Sequence, residues 1–304
     1  MNMIGSEYSA CEAHVYPASA AEGESAVAVR GLQKKFRGFS LEDVTFSVPR
    51  GSVVGFIGEN GAGKSTTIKS ILGLVRPDAG TLSVFGKETA SLSKADRNRV
   101  GAVLGETCLP ENLNLKDIDA VMRRIFLHWS SSAFFGYADK FSLPRDKKVR
   151  EFSRGMRQKV SLAVALSHGA ELLILDEPTA GLDPVARDEI LDILYDFMQS
   201  EEHSILISSH IVSDLEKLCD YILFIHEGRI VFFEEKDALR EKYAVLHCTF
   251  DQLAGLDPSA VVAFSRGEYG MSALVRRDLL PAGMAAERAG IEDIMLYFVR
   301  GERI

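Results

Sequence analysis

The chain has 304 residues, of which 46% are hydrophobic and 26% charged, and its formal net charge is −8 at pH 7. This length is enough for two domains of ordinary globular composition. The acidic balance predicts no broad basic face, which argues against nucleic acid as the main partner. A long apolar stretch such as 161–175 is interrupted by His168 and Glu171, so we expect no transmembrane helix.

The chain begins with residues 1–25, which are rich in Ala, Ser and Glu and show no apolar periodicity. This composition predicts a flexible extension. Strand-like apolar runs follow at 26–29, 41–48 and 51–57, and an alternating run at 81–85 predicts a further strand. The sequence therefore predicts that the folded part starts near residue 26.

A glycine-rich loop with the pattern G-x-x-x-x-G-K-[ST] follows the run 51–57. It consists of Gly58, Glu59, Asn60, Gly61, Ala62, Gly63, Lys64, Ser65 and Thr66. Glycines let the backbone N–H groups turn toward an anion, and the helix predicted over 65–72 adds the positive end of its dipole. The alternative is an ordinary glycine-rich turn whose lysine binds no phosphate. The order strand, loop, helix argues against this alternative. We expect Lys64 to contact the β- and γ-phosphates of a triphosphate and the Ser65 hydroxyl to ligate Mg²⁺.

The region from about 112 to 168 has the spacing of helices. Its clearest pattern is an apolar face at i, i+3, i+4 and i+7. That face consists of Ile118, Val121, Met122, Ile125, Phe126 and Trp129. We interpret most of these residues as the core side of an ordinary helix.

Two carboxylates end the apolar run 172–175. Asp176 and Glu177 follow four apolar residues, which puts them at the carboxyl end of a buried strand. Asp176 there would hold Mg²⁺ and Glu177 would activate a water as general base. A pair that only ends a strand is the alternative. The run 204–210 is similar and ends at His210, which could reach a γ-phosphate from the same edge.

The C-terminal part begins with a predicted hairpin, in which 221–225 and 229–233 flank a short turn. Beyond residue 239, short strand-like runs are followed by an amphipathic helix that ends before Gly301. We interpret 239–304 as a small α+β appendage. Whether it regulates, dimerises or only covers the core is left open by the sequence.

The order of these motifs resembles the ATP-binding cassette (ABC) ATPases over about 27–235. The segment 176–183, DEPTAGLD, is similar to the family's Walker B strand and D-loop. The resemblance implies an α/β P-loop cassette over 26–238 with an inserted helical subdomain at about 112–168. It also implies Asp183 at a dimer contact, His210 as the switch histidine and Phe36 stacked on adenine, with Phe39 as a competitor.

Two positions depart from that family pattern. The signature, usually LSGGQ, is FSRGM here: Ser153 and Gly155 remain for a γ-phosphate, whereas Arg154 and Met156 replace glycine and glutamine. The expected Q-loop glutamine is missing, and we take Glu106 as its substitute, accepting a hydrogen bond from Mg²⁺-bound water beside the phosphates.

The resemblance implies an ATPase that works as a homodimer of cassettes with ATP and Mg²⁺. It further implies a separate integral membrane subunit, and hence a place on the cytoplasmic face of the cell membrane. The FSRGM signature and the ending IEDIMLYFVRGE are similar to ATPase subunits of ABC-2-type exporters, including those of amphipathic or antimicrobial peptides. A soluble ABC ATPase acting on ribosomes or DNA and an importer subunit are the alternatives.

Overall fold

The structure is a computed structural model that describes residues 25–105, 109–267, 270–281 and 283–302. The strands in chain order are β1 (Ser25–Phe36), β2 (Phe39–Pro49), β3 (Val53–Ile57), β4 (Ala79–Val84), β5 (Lys87–Glu88), β6 (Val100–Val103), β7 (Leu172–Asp176), β8 (Ser204–Ser209), β9 (Tyr221–His226), β10 (Arg229–Glu235), β11 (Tyr243–Cys248), β12 (Val261–Gly267), β13 (Gly270–Arg276) and β14 (Glu287–Arg288). The α-helices are α1 (Lys64–Ile71), α2 (Lys94–Asn98), α3 (Leu115–Ile125), α4 (Ser131–Lys140), α5 (Arg154–Leu166), α6 (Pro184–Phe197), α7 (Val212–Leu218), α8 (Lys236–Lys242), α9 (Phe250–Ala254) and α10 (Ile291–Arg300).

The central sheet has the strand order β10-β9-β3-β8-β7-β6. All neighbours in it are parallel except β10, which forms an antiparallel hairpin with β9. Every residue of β3 and β7 is buried, as expected of parallel strands covered on both faces. The β9–β10 turn passes through Glu227 and Gly228, both with positive φ, which suits a tight hairpin. The predicted strands and hairpin are confirmed.

The two faces of this sheet pack against different layers. One face carries Phe56 and contacts Ile68 of α1 and Val29 of the antiparallel sheet β2-β1-β4-β5. The other face packs against α5, α6 and α7, with Leu194 and Leu215 in the shared core. Since parallel strands point the same way, the loops after β3, β7 and β8 meet at one edge of the sheet.

The inserted helices differ in part from the prediction. Capping side chains start each of them, Asn114 for α3, Ser130 for α4 and Ser153 for α5. The predicted apolar face is wrong in part, because Val121 and Ile125 of α3 are 39% and 47% exposed.

The rest of that predicted face does not continue the helix, since α3 ends at Ile125. Phe126 instead stacks on His168 with ring centroids 4.0 Å apart, and the Trp129 indole N–H donates to Asp119. Phe126 and Trp129 are therefore placed by contacts beyond the end of α3 and not on the helical face that the sequence predicted.

The C-terminal segment forms an antiparallel sheet of order β12-β13-β11-β14 with its own apolar cluster. Helix α10 buries Ile291 and Ile294 completely, and both belong to the same core cluster as Leu215 of α7. The segment is thus joined to the cassette by a shared core. Within the described ranges, we find no helix with the length and apolar character needed to cross a bilayer.

Candidate active site

The glycine-rich loop follows β3, and its last three residues form the start of α1. A Cβ at Gly58 would lie 2.5 Å from the Ile225 carbonyl oxygen, so the loop can turn only with glycine there. Gly63 has a φ of 116°, which favours glycine, and it lies against the Leu41 side chain. Both the backbone conformation and this contact exclude a larger residue at position 63. These two glycines explain why the loop passes so close to β9 and β2.

Lys64 is held inside this loop. Its side chain is 6% exposed, and its Nζ donates to the carbonyl oxygens of Gly58 at 2.6 Å and Glu59 at 3.2 Å. Ser65 follows it in an exposed position on the first turn of α1. The loop therefore presents a cation, a hydroxyl and a helix N-terminus to one pocket, which suits a phosphate chain.

Asp176 and Glu177 lie at the end of β7, and hydrogen bonds with Ser208 of β8 fix their positions. Asp176 is 4% exposed and accepts a hydrogen bond from the Ser208 hydroxyl at 2.6 Å. The Glu177 N–H donates in turn to the Ser208 Oγ at 3.0 Å. Sequence reasoning missed Ser208, although its place near the end of an apolar strand run, beside the predicted histidine, was a usable signal.

Glu177 lies between the side chains of His210 and Lys64. Its Oε2 is 2.7 Å from the His210 Nδ1, and its Oε1 is 3.4 Å from the Lys64 Nζ. Its φ of 53° is left-handed, a conformation that non-glycine residues rarely adopt and that clusters at functional sites. The structure thus brings three predicted residues from three loops to one point.

A second pocket of about 680 Å³ adjoins the phosphate loop. It is lined by Lys35, Phe36, Gly38, Phe39, Ser40, Glu42, Glu59, Asn60, Gly61, Ala62, His226 and Glu227. Phe36 is 48% exposed there, whereas Phe39 packs against the core and would touch a Cβ placed at Gly63. Phe36 is therefore the more exposed of the two rings beside this pocket.

The signature and the D-loop lie together, away from these pockets. Ser153 caps α5 and accepts from the Met156 N–H at 3.2 Å. A Cβ at Gly155 would lie 3.1 Å from the Leu182 Cδ2, and a Cβ at Gly181 would lie 2.8 Å from the Arg154 Nη1. The arginine that replaces the usual signature glycine thus packs over the D-loop.

Asp183 has a structural role that the sequence did not predict. Its carboxylate caps α6 by accepting the N–H groups of Ala186 and Val185, and the Ala186 bond is the main reason that its pKa is lowered. Among the described residues, those that line the two nucleotide-sized pockets do not include Ser153, Gly155 or Asp183. The chain by itself therefore leaves the signature separate from its own phosphate loop.

The sequence predicts three residues at Mg²⁺, and the structure describes two of them, Ser65 and Asp176. Ser65 offers an exposed hydroxyl and Asp176 a carboxylate, which fits Mg²⁺ held partly by substrate phosphates. A self-contained cluster of three or more His, Cys, Asp or Glu ligands is absent from the described part of the chain. Glu106 lies outside the described residues; a Cβ at its neighbour Gly105 would lie 3.8 Å from the Asp176 carbonyl oxygen.

The family model described as "ABC transporter" matches residues 41–180 of this chain. The lantibiotic transport ATP-binding protein SrtF of Streptococcus pyogenes is 39% identical over 212 residues, covering 69% of this chain and 90% of that protein. The chain belongs to the ABC transporter family.

Other ABC proteins agree with that membership. The bacitracin transport ATP-binding protein BcrA of Bacillus licheniformis is 35% identical over 194 residues, covering 63% of each chain. A solved ATP-binding subunit of an ABC transporter is 32% identical with a TM-score of 0.64, covering 71% of this chain and 92% of that one. The protein is therefore an ABC ATPase with the α/β cassette fold that its motifs predicted.

Proposed function

We propose that this ABC ATPase powers export through a separate membrane subunit, with amphipathic or antimicrobial peptides as the cargo class. The observation that carries the ATPase part is the convergence of Lys64, Glu177 and His210 beside the phosphate-loop pocket. Export of peptides is supported by the two relatives described above, which are a lantibiotic transport ATP-binding protein and a bacitracin transport ATP-binding protein.

Hydrolysis rests on the pairing of Glu177 with His210 beside the phosphate-loop pocket. Glu177 acts as general base toward a water beside the γ-phosphate, and His210, 2.7 Å away, keeps that carboxylate oriented. Lys64 balances the charge of the phosphates from within the loop. Ser65 and Asp176 would hold Mg²⁺, which when bound neutralises charge on the phosphate oxygens.

We further propose a head-to-tail homodimer. The signature residues Ser153 and Gly155 do not line the pocket at the phosphate loop of their own chain. In the dimer, the signature of one protomer closes over the phosphate loop of the other, and Asp183 lies near the contact between them. Binding ATP joins the protomers and hydrolysis releases them, which is the motion passed to the membrane subunit.

An apolar groove is the proposed dock for that subunit. Its lining is Leu72, Leu74, Ala102, Val103, Leu104, Leu109, Ser161 and Val164. It lies between the end of α1, the end of β6 and α5. Leu74 is 63% exposed at its rim, which is costly in water and suits a partner helix.

The test is affinity purification of the tagged chain from detergent-solubilised native membranes, with ATPase activity assayed on the product. We expect a polytopic protein to co-purify in a fixed ratio and to change the ATPase rate. A chain recovered alone or with ribosomes, from the soluble fraction, would support the soluble ATPase alternative instead. A co-purifying pore with an extracytoplasmic binding protein would support the importer alternative.

Leu74→Asp sharpens this test. The charge should abolish co-purification because it is placed in the apolar groove, while ATP hydrolysis by the isolated chain stays intact. Tyr195→Asp is the matched control, since Tyr195 is also 62% exposed but lies on α6. Equal co-purification of both variants with the membrane protein would reject the groove as the dock.

A further inference from the structure

The buried carboxylate of Asp214 connects segments that follow the active-site residues in the chain. Asp214 lies in the first turn of α7 and is 2% exposed. Its Oδ2 accepts a hydrogen bond from the Thr179 hydroxyl at 2.7 Å, and Thr179 is itself 1% exposed. Both polar groups are thus removed from water, where an unpaired carboxylate is strongly destabilising.

The charge of this carboxylate is balanced from a third element. The Nε of Arg187, on α6, is 3.8 Å from the same Asp214 oxygen. That nitrogen is buried and makes no hydrogen bond with a described residue, so the pair is held by charge rather than by a directed bond. The Thr179 hydroxyl therefore provides the directed contact to Asp214.

Thr179, Arg187 and Asp214 form a cluster, and each of them follows a proposed site residue closely in the chain. Thr179 follows Glu177 by two positions, and Asp214 follows His210 by four. Arg187 follows Asp183 by four positions, one turn into α6. One carboxylate consequently joins the segment after the proposed base, the helix after the proposed switch histidine, and the helix that starts at the D-loop.

We propose that Asp214 is a positioning residue that fixes the separation of Glu177 and His210. This inference rests on the proposed function of that site. Because Glu177 has a left-handed backbone, its carboxylate direction depends on what holds the following residues, and Thr179 is the buried anchor there. The phosphate loop leaves β3 and takes no part in this cluster, so the inference separates turnover from ATP binding.

The experiment compares Asp214→Asn with Asp188→Asn in the purified full chain. Asp188 bonds Lys217 at 2.9 Å between the same two helices, α6 and α7, but both side chains are 61% exposed. We expect Asp214→Asn to lower kcat about 10- to 100-fold while KM for ATP changes less than about 2-fold, since a small misplacement of a catalytic group has effects of that size. Asp188→Asn should leave both constants unchanged.

Thr179 gives a second route that keeps the test decisive if Asp214→Asn unfolds. Thr179→Val keeps the shape but removes the donor, and it should lower kcat in the same way, whereas Thr179→Ser should restore it. Thr179→Val combined with Asp214→Asn should lower kcat no further than the larger single effect, because residues that act as a unit are not additive.

Three outcomes decide between the possibilities. Normal kcat in both Asp214→Asn and Thr179→Val would overturn the positioning role. A parallel loss of kcat, ATP affinity and unfolding midpoint would also overturn it, in favour of a role in general stability. Glu177→Gln separates this inference from the proposed function: if that variant hydrolyses ATP normally, the assignment of the base fails first.

Discussion

The Glu177 Oε1 lies 3.4 Å from the Lys64 Nζ, although the two residues belong to loops more than a hundred positions apart. This oxygen is buried and accepts no hydrogen bond from the described residues. The direct contact between the proposed base and the phosphate-loop cation is therefore electrostatic, without a hydrogen bond. The contact joins the part of the site that binds phosphate to the part that activates water.

Lys64→Ala should weaken ATP binding itself. The ammonium is 6% exposed and pre-positioned by two loop carbonyls, so its loss removes a charge-assisted contact worth about 1.5–3 kcal/mol, or roughly 10- to 100-fold in Kd. Titration with a fluorescent ATP analogue measures this. Lys69→Ala, at an exposed position on the same helix, is the control. Unchanged affinity in Lys64→Ala would remove the phosphate-loop assignment.

Glu177→Gln should keep ATP binding and stop turnover. The amide keeps the size of the side chain but cannot accept the water's proton, and general-base catalysis contributes about 10²- to 10⁴-fold. Steady-state ATPase assays give the rate, and gel filtration with ATP should show a trapped dimer. Glu202→Gln, at an exposed turn position, is the control. Undiminished hydrolysis would exclude Glu177 as the base.

Phe36→Ala and Phe39→Ala should affect different properties. Phe36 is 48% exposed beside the pocket, so its loss should weaken ATP binding by about 1–3 kcal/mol, the usual size of base stacking. Phe39 packs on the core cluster, and its loss should lower the unfolding midpoint instead. Nucleotide titration and thermal unfolding of both variants decide. The reverse pattern would assign adenine stacking to Phe39.

Glu171→Gln should destabilise the protein in a pH-dependent way. The Arg99 guanidinium makes two hydrogen bonds to this carboxylate, at 2.6 and 2.5 Å, and lowers the Glu171 pKa. Because the folded pKa is depressed, the stabilisation is present above the unfolded pKa and is lost as pH falls through the folded one. Both side chains are about a third exposed, which limits the effect at pH 7 to about 1 kcal/mol.

The measurement for Glu171 is chemical denaturation at a series of pH values. The free energies of unfolding of wild type and Glu171→Gln should begin to approach each other near the unfolded pKa, and they should converge only below the lowered folded pKa of Glu171, where the carboxylate is protonated in both states. A difference that persists at acid pH would indicate lost packing rather than a lost ion pair.

Ile294→Ala should lower the free energy of unfolding by about 2–4 kcal/mol, since the side chain is fully buried in the core shared with the cassette. Leu296→Ala on the same helix is the control, because Leu296 is 45% exposed. Denaturant unfolding of both variants measures the difference. Equal, small losses would mean that α10 adds little to the cassette core.

The sequence determined the chemistry of this protein and the type of most elements. Continuous apolar runs ended by Gly58, Asp176 and His210 were enough to predict parallel strands whose loops carry the site. The glycine-rich loop could also be predicted from the sequence, because only glycine allows its turns. The apolar face of α3 was less predictable, since the spacing of apolar residues does not indicate where a helix ends. Phe126 and Trp129 continue the spacing but lie beyond the end of α3.

Only the tertiary structure decided which residues touch across the chain. The contacts between Ser208 and Asp176, between Thr179 and Asp214, and between Arg154 and Gly181 join separate segments. No local pattern encodes such a contact, because it depends on how three layers pack around the sheet. The difference in exposure between Phe36 and Phe39 likewise appears only in the folded chain, because burial depends on tertiary packing and both rings look alike in the sequence.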